Sequence, residues 1–288
     1  MNSIVNQVFA NLQYDNGIFY SEKNEIGHYP VDGNELFSQI EENSFWYVHR
    51  NNIIIESIRS NYPTLTNNLL EIGAGNGYVS SEIKKQINIE VLALEPDSFG
   101  AKHILSRGIK HVICSLYTQE ICKPESVDNI GAFDVLEHIE DETQFLNTIY
   151  NSLRQNGKLF LTVPAYSWLW SIEDEHDKHF RRYTKYKLLE LLKKNGFGIE
   201  YSSYFFSLIP LPIFFIRTLT SFFHVGSKKN LDLYEKNKAK IYKKEHASNN
   251  KFLKNMLLLF FKWEPFFIKK HISIPFGGSI IVVAKKNN

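Results

Sequence analysis

Two stretches combine residue types and spacings that can do chemistry. The first is Glu71-Ile72-Gly73-Ala74-Gly75-Asn76-Gly77, with three glycines in five positions. Glycine lets a backbone turn tightly and approach a ligand without a Cβ clash. A helix starting near Tyr78 would offer its first N–H groups to a carboxylate or phosphate. Glu95 stands 24 residues after Glu71, at the end of the next apolar run. A carboxylate there can accept both hydroxyls of a ribose. The plainer reading is a glycine-rich turn with no ligand. A dinucleotide loop expects GxGxxG, whereas here one residue separates the second and third glycines, and the absence of GKS/T excludes a P-loop. The second stretch runs from Trp168 to Thr184. Its His176 and His179 suit proton removal from a hydroxyl near neutral pH. Arg181 and Arg182 can hold an anion by forked hydrogen bonds. HxxH also suggests zinc, but no third ligand is obvious. The plainer reading is a loop whose Arg and Tyr183 side chains brace the following helix.

Alternating elements must position these residues. Leu69–Ile72 reads as a short buried strand, followed by the glycine loop and a helix over 78–86. A strand over 89–94, a helix over 98–107 stopped by Gly108, and short strands over 111–114 and 127–133 follow. Asp141 can cap a helix bearing Phe145, Leu146, Ile149 and Leu153, and a strand spans 159–163. Thr184 can cap another helix, closed by Gly196. Strands over 199–206 and 279–284 complete the pattern. Before residue 60 the chain looks irregular, with turn signals at Asp15-Asn16-Gly17 and Asp32-Gly33-Asn34, then helical from Phe45 with Ser44 as cap. Strand–helix alternation implies a parallel sheet with helices on both faces. Right-handed crossovers bring the strand C-termini to one edge, so the loops after residues 72, 94, 114, 133 and 163 should meet in one cleft.

Composition bounds the rest. The 288 residues, 43% apolar and 22% charged, exclude wholesale disorder and coiled coil. Cys114 and Cys122 make neither a disulfide framework nor a zinc cluster. The start of the chain lacks the pattern of a signal peptide. No apolar tract approaches the ~20 residues needed to span a bilayer. These features point to the cytoplasm. The net charge of +2 hides an asymmetry: residues 1–144 carry 9 Lys+Arg against 21 Asp+Glu, and residues 145–288 carry 24 against 10. That is no uniform nucleic-acid coat, and nucleic-acid partners are not expected.

The ExGxGxG stretch with Glu95 resembles the class I S-adenosylmethionine-dependent methyltransferases. Gly131–Ile139 resembles that family's fourth-strand motif FDVLEHI. Leu153-Arg154-Gln155-Asn156-Gly157-Lys158-Leu159 resembles its later LxxGGxL motif, with Asn156 in place of the first glycine. The likeness covers residues 65–200 and the closing strand. It implies an α/β, Rossmann-like, doubly wound, seven-stranded and mostly parallel sheet with an antiparallel last strand. An N-terminal lid segment (1–60) and a helical insertion (207–272) would flank a core of 61–206 and 273–288. The cofactor would be S-adenosyl-L-methionine, with S-adenosyl-L-homocysteine as product. By the same likeness Glu71, Gly73, Ala74, Gly75 and Gly77 hold its methionine end, Glu95 its ribose, and Pro96, Ser115 and Leu116 its adenine. Phe133 and Asp134 flank the sulfonium.

The likeness makes His138 a candidate base beside His176 and His179. Trp168, Arg181, Arg182 and Tyr183 become acceptor-side candidates in a segment similar to HxRRYT. Tyr47 and Arg50 would close the site from a lid helix, although an aromatic helix is more often core packing. In ubiquinone-pathway O-methyltransferases a similar acid-x-x-Glu-His cluster is associated with a divalent metal, which would point to Asp134, Glu137 and His138; no metal is expected here. The implied reaction is methyl transfer to a small-molecule acceptor, at the oxygen of a saccharide, lipid-linked or quinone-type compound. Transfer to nitrogen or carbon, a noncatalytic scaffold and a nicotinamide-dependent oxidoreductase are the alternatives.

Residues 207–272 interleave apolar runs such as Met256–Phe261 with lysines, including Lys228, Lys229, Lys243 and Lys244. Such a segment can lie on an anionic membrane surface. It can equally be a packed helical subdomain or a lid over a greasy substrate.

Overall fold

The computed structural model describes residues 3–21, 38, 41–61, 68–208 and 251–287. Among them a nine-stranded sheet runs through the molecule in the order β1-β2-β5-β4-β3-β6-β7-β9-β8. The five central strands are β3 (Leu69–Ile72), β4 (Val91–Leu94), β5 (His111–Cys114), β6 (Val127–Phe133) and β7 (Leu153–Pro164). They pair in parallel, with Leu69 opposite both Val91 and Asn129. The last strand, β9 (Ser279–Lys286), inserts antiparallel between β7 and β8 (Phe197–Phe205).

Seven strands were expected, and the sheet has two more. The additional pair is an N-terminal hairpin, β1 (Leu12–Asp15) and β2 (Ile18–Ser21), after a short helix α1 (Ser3–Val8). Asn16 and Gly17 both take positive φ, 47° and 92°, the requirement of a two-residue hairpin turn. β2 pairs in parallel with β5 through Ile18–Tyr20 and covers what would be an open edge. Each strand has only four residues, and β1 buries almost nothing, so neither leaves a clear alternation in the sequence.

Helices cover both faces. α2 (Phe45–Asn61) and α3 (Tyr78–Ile87) pack Ile53, Ile54, Ile58, Val79 and Ile83 against Leu69, Val91, Phe160 and Ile281. On the other face α5 (Glu142–Ser152) and α7 (Lys185–Lys194) pack Phe145, Leu146, Ile149, Leu188 and Leu192 against Leu70, Leu92, Leu161 and Val282. Adjacent residues of one strand point to opposite faces, which is why Leu69 and Leu70 belong to different cores. α4 (Ser98–Ser106) packs Ala101 and Ile104 beside Ala93 and Val112. Its N-cap Asp97 accepts from Gly100 N at 3.0 Å, and Asp141 caps α5 through Gln144 N at 2.9 Å. Asn156 adopts a left-handed φ of 64°, a conformation Asn tolerates better than other side-chain-bearing residues. This accommodates the missing glycine of the later motif.

Of the insertion, 209–250 lies outside the described residues, including Lys228, Lys229, Lys243 and Lys244. The described part holds α8 (Lys251–Phe260) and α9 (Trp263–Lys269), both packed against α2. Between α7's predecessor strand β7 and α7 itself lies a short helix α6 (Ile172–His176). No helix among the described residues is long and apolar enough to cross a membrane.

Candidate active site

The C-terminal ends of β3, β4, β6 and β7 open into a single cavity of about 850 Å³, with α2 along one side. The glycine loop forms one wall. Gly73 has φ 68°, and a Cβ there would come within 2.7 Å of Val135 Cγ2. Gly77 has φ 74° and faces Ile104, where a Cβ would meet the side chain at 2.9 Å. The first glycine therefore admits the loop's turn over β6, and the third seats α3 against α4. Gly75 N donates to Glu95 Oε2 at 2.7 Å, and Asp97 N donates to Glu95 Oε1 at 3.0 Å. Glu71 is buried beneath the loop, accepting from Ser80 Oγ. Burial pushes its carboxyl up to about 8, opposed by Ser80 and Arg50 and reinforced by Glu95.

The turn after β6, packed against the glycine loop at Gly73, builds a further part of the lining. Asp134 takes φ 56° and swings the chain into a single helical turn, Leu136–His138. Thr162 Oγ1 donates to Asp134 Oδ1 at 2.9 Å, and Arg50 Nη1 reaches Oδ2 at 2.5 Å. Glu137 is 1% exposed, and among the described residues nothing hydrogen-bonds its Oε2. Burial, then the nearby Asp134 charge, raises its carboxyl well above the ordinary carboxylate range. The His138 ring stands edge-to-face to His179, centroids 4.6 Å apart. Burial, then His179, pulls His138 down to about 4, so the ring is neutral at pH 7. Asp174, buried in α6, bonds His179 Nδ1 at 2.8 Å and Arg182 Nε at 2.7 Å. Burial alone would raise Asp174; the bonds from His179 and Arg182 outweigh it and hold its carboxyl at about 2.

The structure brings Glu71, Gly73, Ala74, Gly75, Glu95, Pro96, Leu116, Phe133, Asp134, Tyr47, Arg50, His138, His179 and Arg182 to this cavity. It places the other candidates elsewhere. Gly77 packs on Ile104, and Ser115 Oγ donates to Leu116 O at 3.0 Å. His176 is buried in α6, with Nδ1 2.8 Å from Asp177 Oδ1. The HxxH pair is thereby split: α6 ends at His176, and of the two only His179 lines the cavity. Trp168, 42% exposed, stacks on Tyr166 outside the cavity. Arg181 pairs with Glu142 at 2.5 Å, and Tyr183 OH donates to the same residue at 2.6 Å. Both brace α5 and do not face the cavity.

Three contributors escaped the sequence reading. Asp174 orients His179 and Arg182 together, Trp46 and Glu41 line the α2 side, and Glu41 is raised to about 7 by burial despite Arg107. The acidic run Glu173-Asp174-Glu175 was the available signal for Asp174, but nothing in it separates the fully buried acid from its half-buried neighbours.

Comparison with known proteins agrees with this geometry. A methyltransferase-domain family model matches residues 46–202, more than half of the chain. A probable S-adenosylmethionine-dependent methyltransferase of Mycolicibacterium smegmatis is 25% identical over 174 residues, 59% of this chain and 66% of its own length. A second, from Mycobacterium tuberculosis, is 25% identical over 136 residues, 46% of this chain and 48% of its own. The chain thus spans about half to two thirds of these relatives. Among solved structures, Haemonchus contortus phosphoethanolamine N-methyltransferase 2, in complex with phosphomonomethylethanolamine and S-adenosylhomocysteine, superposes with a TM-score of 0.55 at 17% identity. It covers 90% of this chain and 58% of its own. A putative sarcosine dimethylglycine methyltransferase from Galdieria sulphuraria gives 0.52 at 16% identity, covering 92% and 94%. On the family match, and with a fold shared by these enzymes, the chain belongs to the class I S-adenosylmethionine-dependent methyltransferase family.

Proposed function

We propose that this chain transfers a methyl group from S-adenosyl-L-methionine to a hydroxyl oxygen of a small molecule. One observation carries the reading: a single cavity is lined by the glycine loop, Glu71 and Glu95 and also by His138 and His179. The residues fit the donor. Gly73 and Gly75 let the loop backbone approach a ligand closely, buried Glu71 suits a cationic amino group, and the Glu95 carboxylate in the cavity lining suits ribose hydroxyls. Pro96 and Leu116 would flank the adenine, with Phe133 and Asp134 near the sulfur. When bound, the donor supplies an electrophilic methyl on a sulfonium.

The chain's own residues supply proximity and exclusion of water. Trp46, Tyr47 and Arg50 enclose the site from α2, and the Arg50–Asp134 bridge ties that helix to the β6 turn. Neutral His138 can receive a hydrogen bond from an acceptor hydroxyl at pH 7, which favours oxygen over an amine that solvent can deprotonate. Arg182 is held by Asp174, so its part is to orient His179 and not to clamp an anion. The small acceptor named in the Haemonchus structure supports an acceptor of similar size; transfer to nitrogen is the second reading.

Calorimetry tests the donor end: S-adenosylhomocysteine should bind, and Glu95→Ala should weaken it at least tenfold, on the order of 1.4 kcal/mol. Unchanged binding in that variant refutes the ribose assignment. A turnover screen across hydroxyl and amine acceptors tests the other end, and product formed only on amines overturns the oxygen reading. For the membrane reading, Leu259 at 71% and Phe260 at 56% exposure on α8 support contact with an acyl boundary. They share a segment with Lys262, Lys269 and Lys270. Co-sedimentation with anionic vesicles at low salt is expected, and no pelleting removes that reading.

A further inference from the structure

We propose that Glu137, His138 and His179 form a binding site for a divalent transition-metal ion at the acceptor end of the cavity. One ligand atom from each of the three lies within 4.8 Å of the other two. Tetrahedral ligands ~2.1 Å from a zinc ion lie about 3.4 Å apart, so closure needs side-chain shifts of roughly an ångström.

Four observations support the set. Glu137 Oε2 is buried, lines the cavity and has no hydrogen-bond partner among the described residues. A buried carboxylate without a partner is costly, and a cation is the partner its position calls for. His179 presents one ring nitrogen to Asp174 at 2.8 Å, leaving the other for a ligand bond. His138 is hydrogen-bonded on one side by the backbone of Asp177, which fixes its ring in the same way. Metal-bound imidazoles characteristically have their second nitrogen held by a carboxylate or a carbonyl, and here each ring has one of these. Arg182, bound to Asp174 by two nitrogens, Nε at 2.7 Å and Nη2 at 3.0 Å, keeps that carboxylate in place.

The acid-x-x-Glu-His spacing pointed to Glu137 and His138 but not to the third ligand. Asp134, which the acid-x-x-Glu-His pattern would have chosen, has both oxygens engaged by Arg50 and Thr162. His176, which HxxH would have chosen, is turned away in α6. The third ligand is His179, 41 residues beyond His138. Two imidazoles and one carboxylate, with open positions toward a cavity, suit zinc or a neighbouring divalent ion better than magnesium, which prefers oxygen ligands. Such an ion would hold the acceptor oxygen and lower its pKa, and the proton would go to solvent. In that state the two histidines are ligands and the ion replaces them in activating the hydroxyl. This last point rests on the oxygen reading above; metal binding itself does not.

The test uses the full-length chain after chelator treatment, titrated with Zn²⁺, Co²⁺ and Mg²⁺ by calorimetry, with Co²⁺ absorption as the ligand-field readout. One Zn²⁺ equivalent should bind, with Co²⁺ bands present in the wild type. Both should weaken by tenfold or more in His179→Ala and Glu137→Gln. Metal-free Glu137→Gln should melt no lower than the wild type, since it removes an unpartnered buried carboxylate, and Zn²⁺ should raise the melting point of the wild type alone. No saturable binding, binding unchanged in both variants, or Mg²⁺ preferred over Zn²⁺ would each overturn the assignment. S-adenosylhomocysteine titrated into the same samples separates the failures. Its binding without metal sinks only this inference, and loss of both sinks the donor reading too.

Discussion

Glu71 lies under the glycine loop with Ser80 on its carboxylate and Arg50, Glu95 and Glu41 as its charged neighbours. Burial raises it to about 8, so the folded chain retains a proton that the unfolded chain releases near the ordinary glutamate value. Its contribution to stability is complete below that value and is lost as pH rises to about 8. A cationic amino group beside it favours the ionised form. Binding of S-adenosylhomocysteine at pH 7 should therefore release a proton. Calorimetry in two buffers of different ionisation enthalpy reads this, and Glu71→Gln should abolish the difference. Gly73 is a second residue with a sharp expectation. Its positive φ and the 2.7 Å approach of Val135 mean that Gly73→Ala should lower stability by about 1–3 kcal/mol, read in urea melts. An unchanged melt would contradict the loop geometry.

The glycine loop, Glu95 and the Glu137-His138 pair were legible as neighbours because strand–helix alternation sends every such loop to one sheet edge. Contacts between elements were not legible. α2 is held to the insertion by His49 and Glu264, Nε2 to Oε2 2.8 Å, both buried. Glu264 also accepts from Phe206 N at 2.9 Å and Ser207 N at 2.8 Å, so one carboxylate joins α2, α9 and the end of β8. Trp46 stacks on Phe206 at 3.8 Å in the same cluster. Glu264→Ala leaves buried N–H groups and an imidazole without their acceptor, a loss of about 3 kcal/mol or more. Thermal melts should show it. Because α2 carries Arg50 and Tyr47, acceptor KM should rise further in this variant than S-adenosylhomocysteine affinity falls. Equal effects on both would mean that the latch serves stability alone.

Across the whole molecule the charge asymmetry acquires a place. Glu41, Glu71, Glu95, Asp134 and Glu137 all come from the acidic half and all line the cavity. That environment, in which Glu71 gives up its proton when a cation binds, favours a sulfonium over a dinucleotide's phosphates. S-adenosylhomocysteine at ~100 times its Kd should stabilise the fold by about 2.7 kcal/mol, and NAD should not. A thermal shift with NAD and none with S-adenosylhomocysteine would reverse the assignment.

Local pattern was sufficient for the parallel core, the capped helices at Asp141 and Thr184 and the cavity's glycine wall, since each depends on residues within one turn or one strand. It was insufficient for the edge hairpin, whose four-residue strands are stabilised by β5 and not by their own alternation. It was equally insufficient for the acceptor wall. His176 and His179 look equivalent in sequence, as do Asp174 and its acidic neighbours. Burial and partners separate them: His176 closes α6 beside Asp177, whereas His179 lies beyond the helix and lines the cavity with Asp174, and those placements are set by packing between segments far apart in the chain.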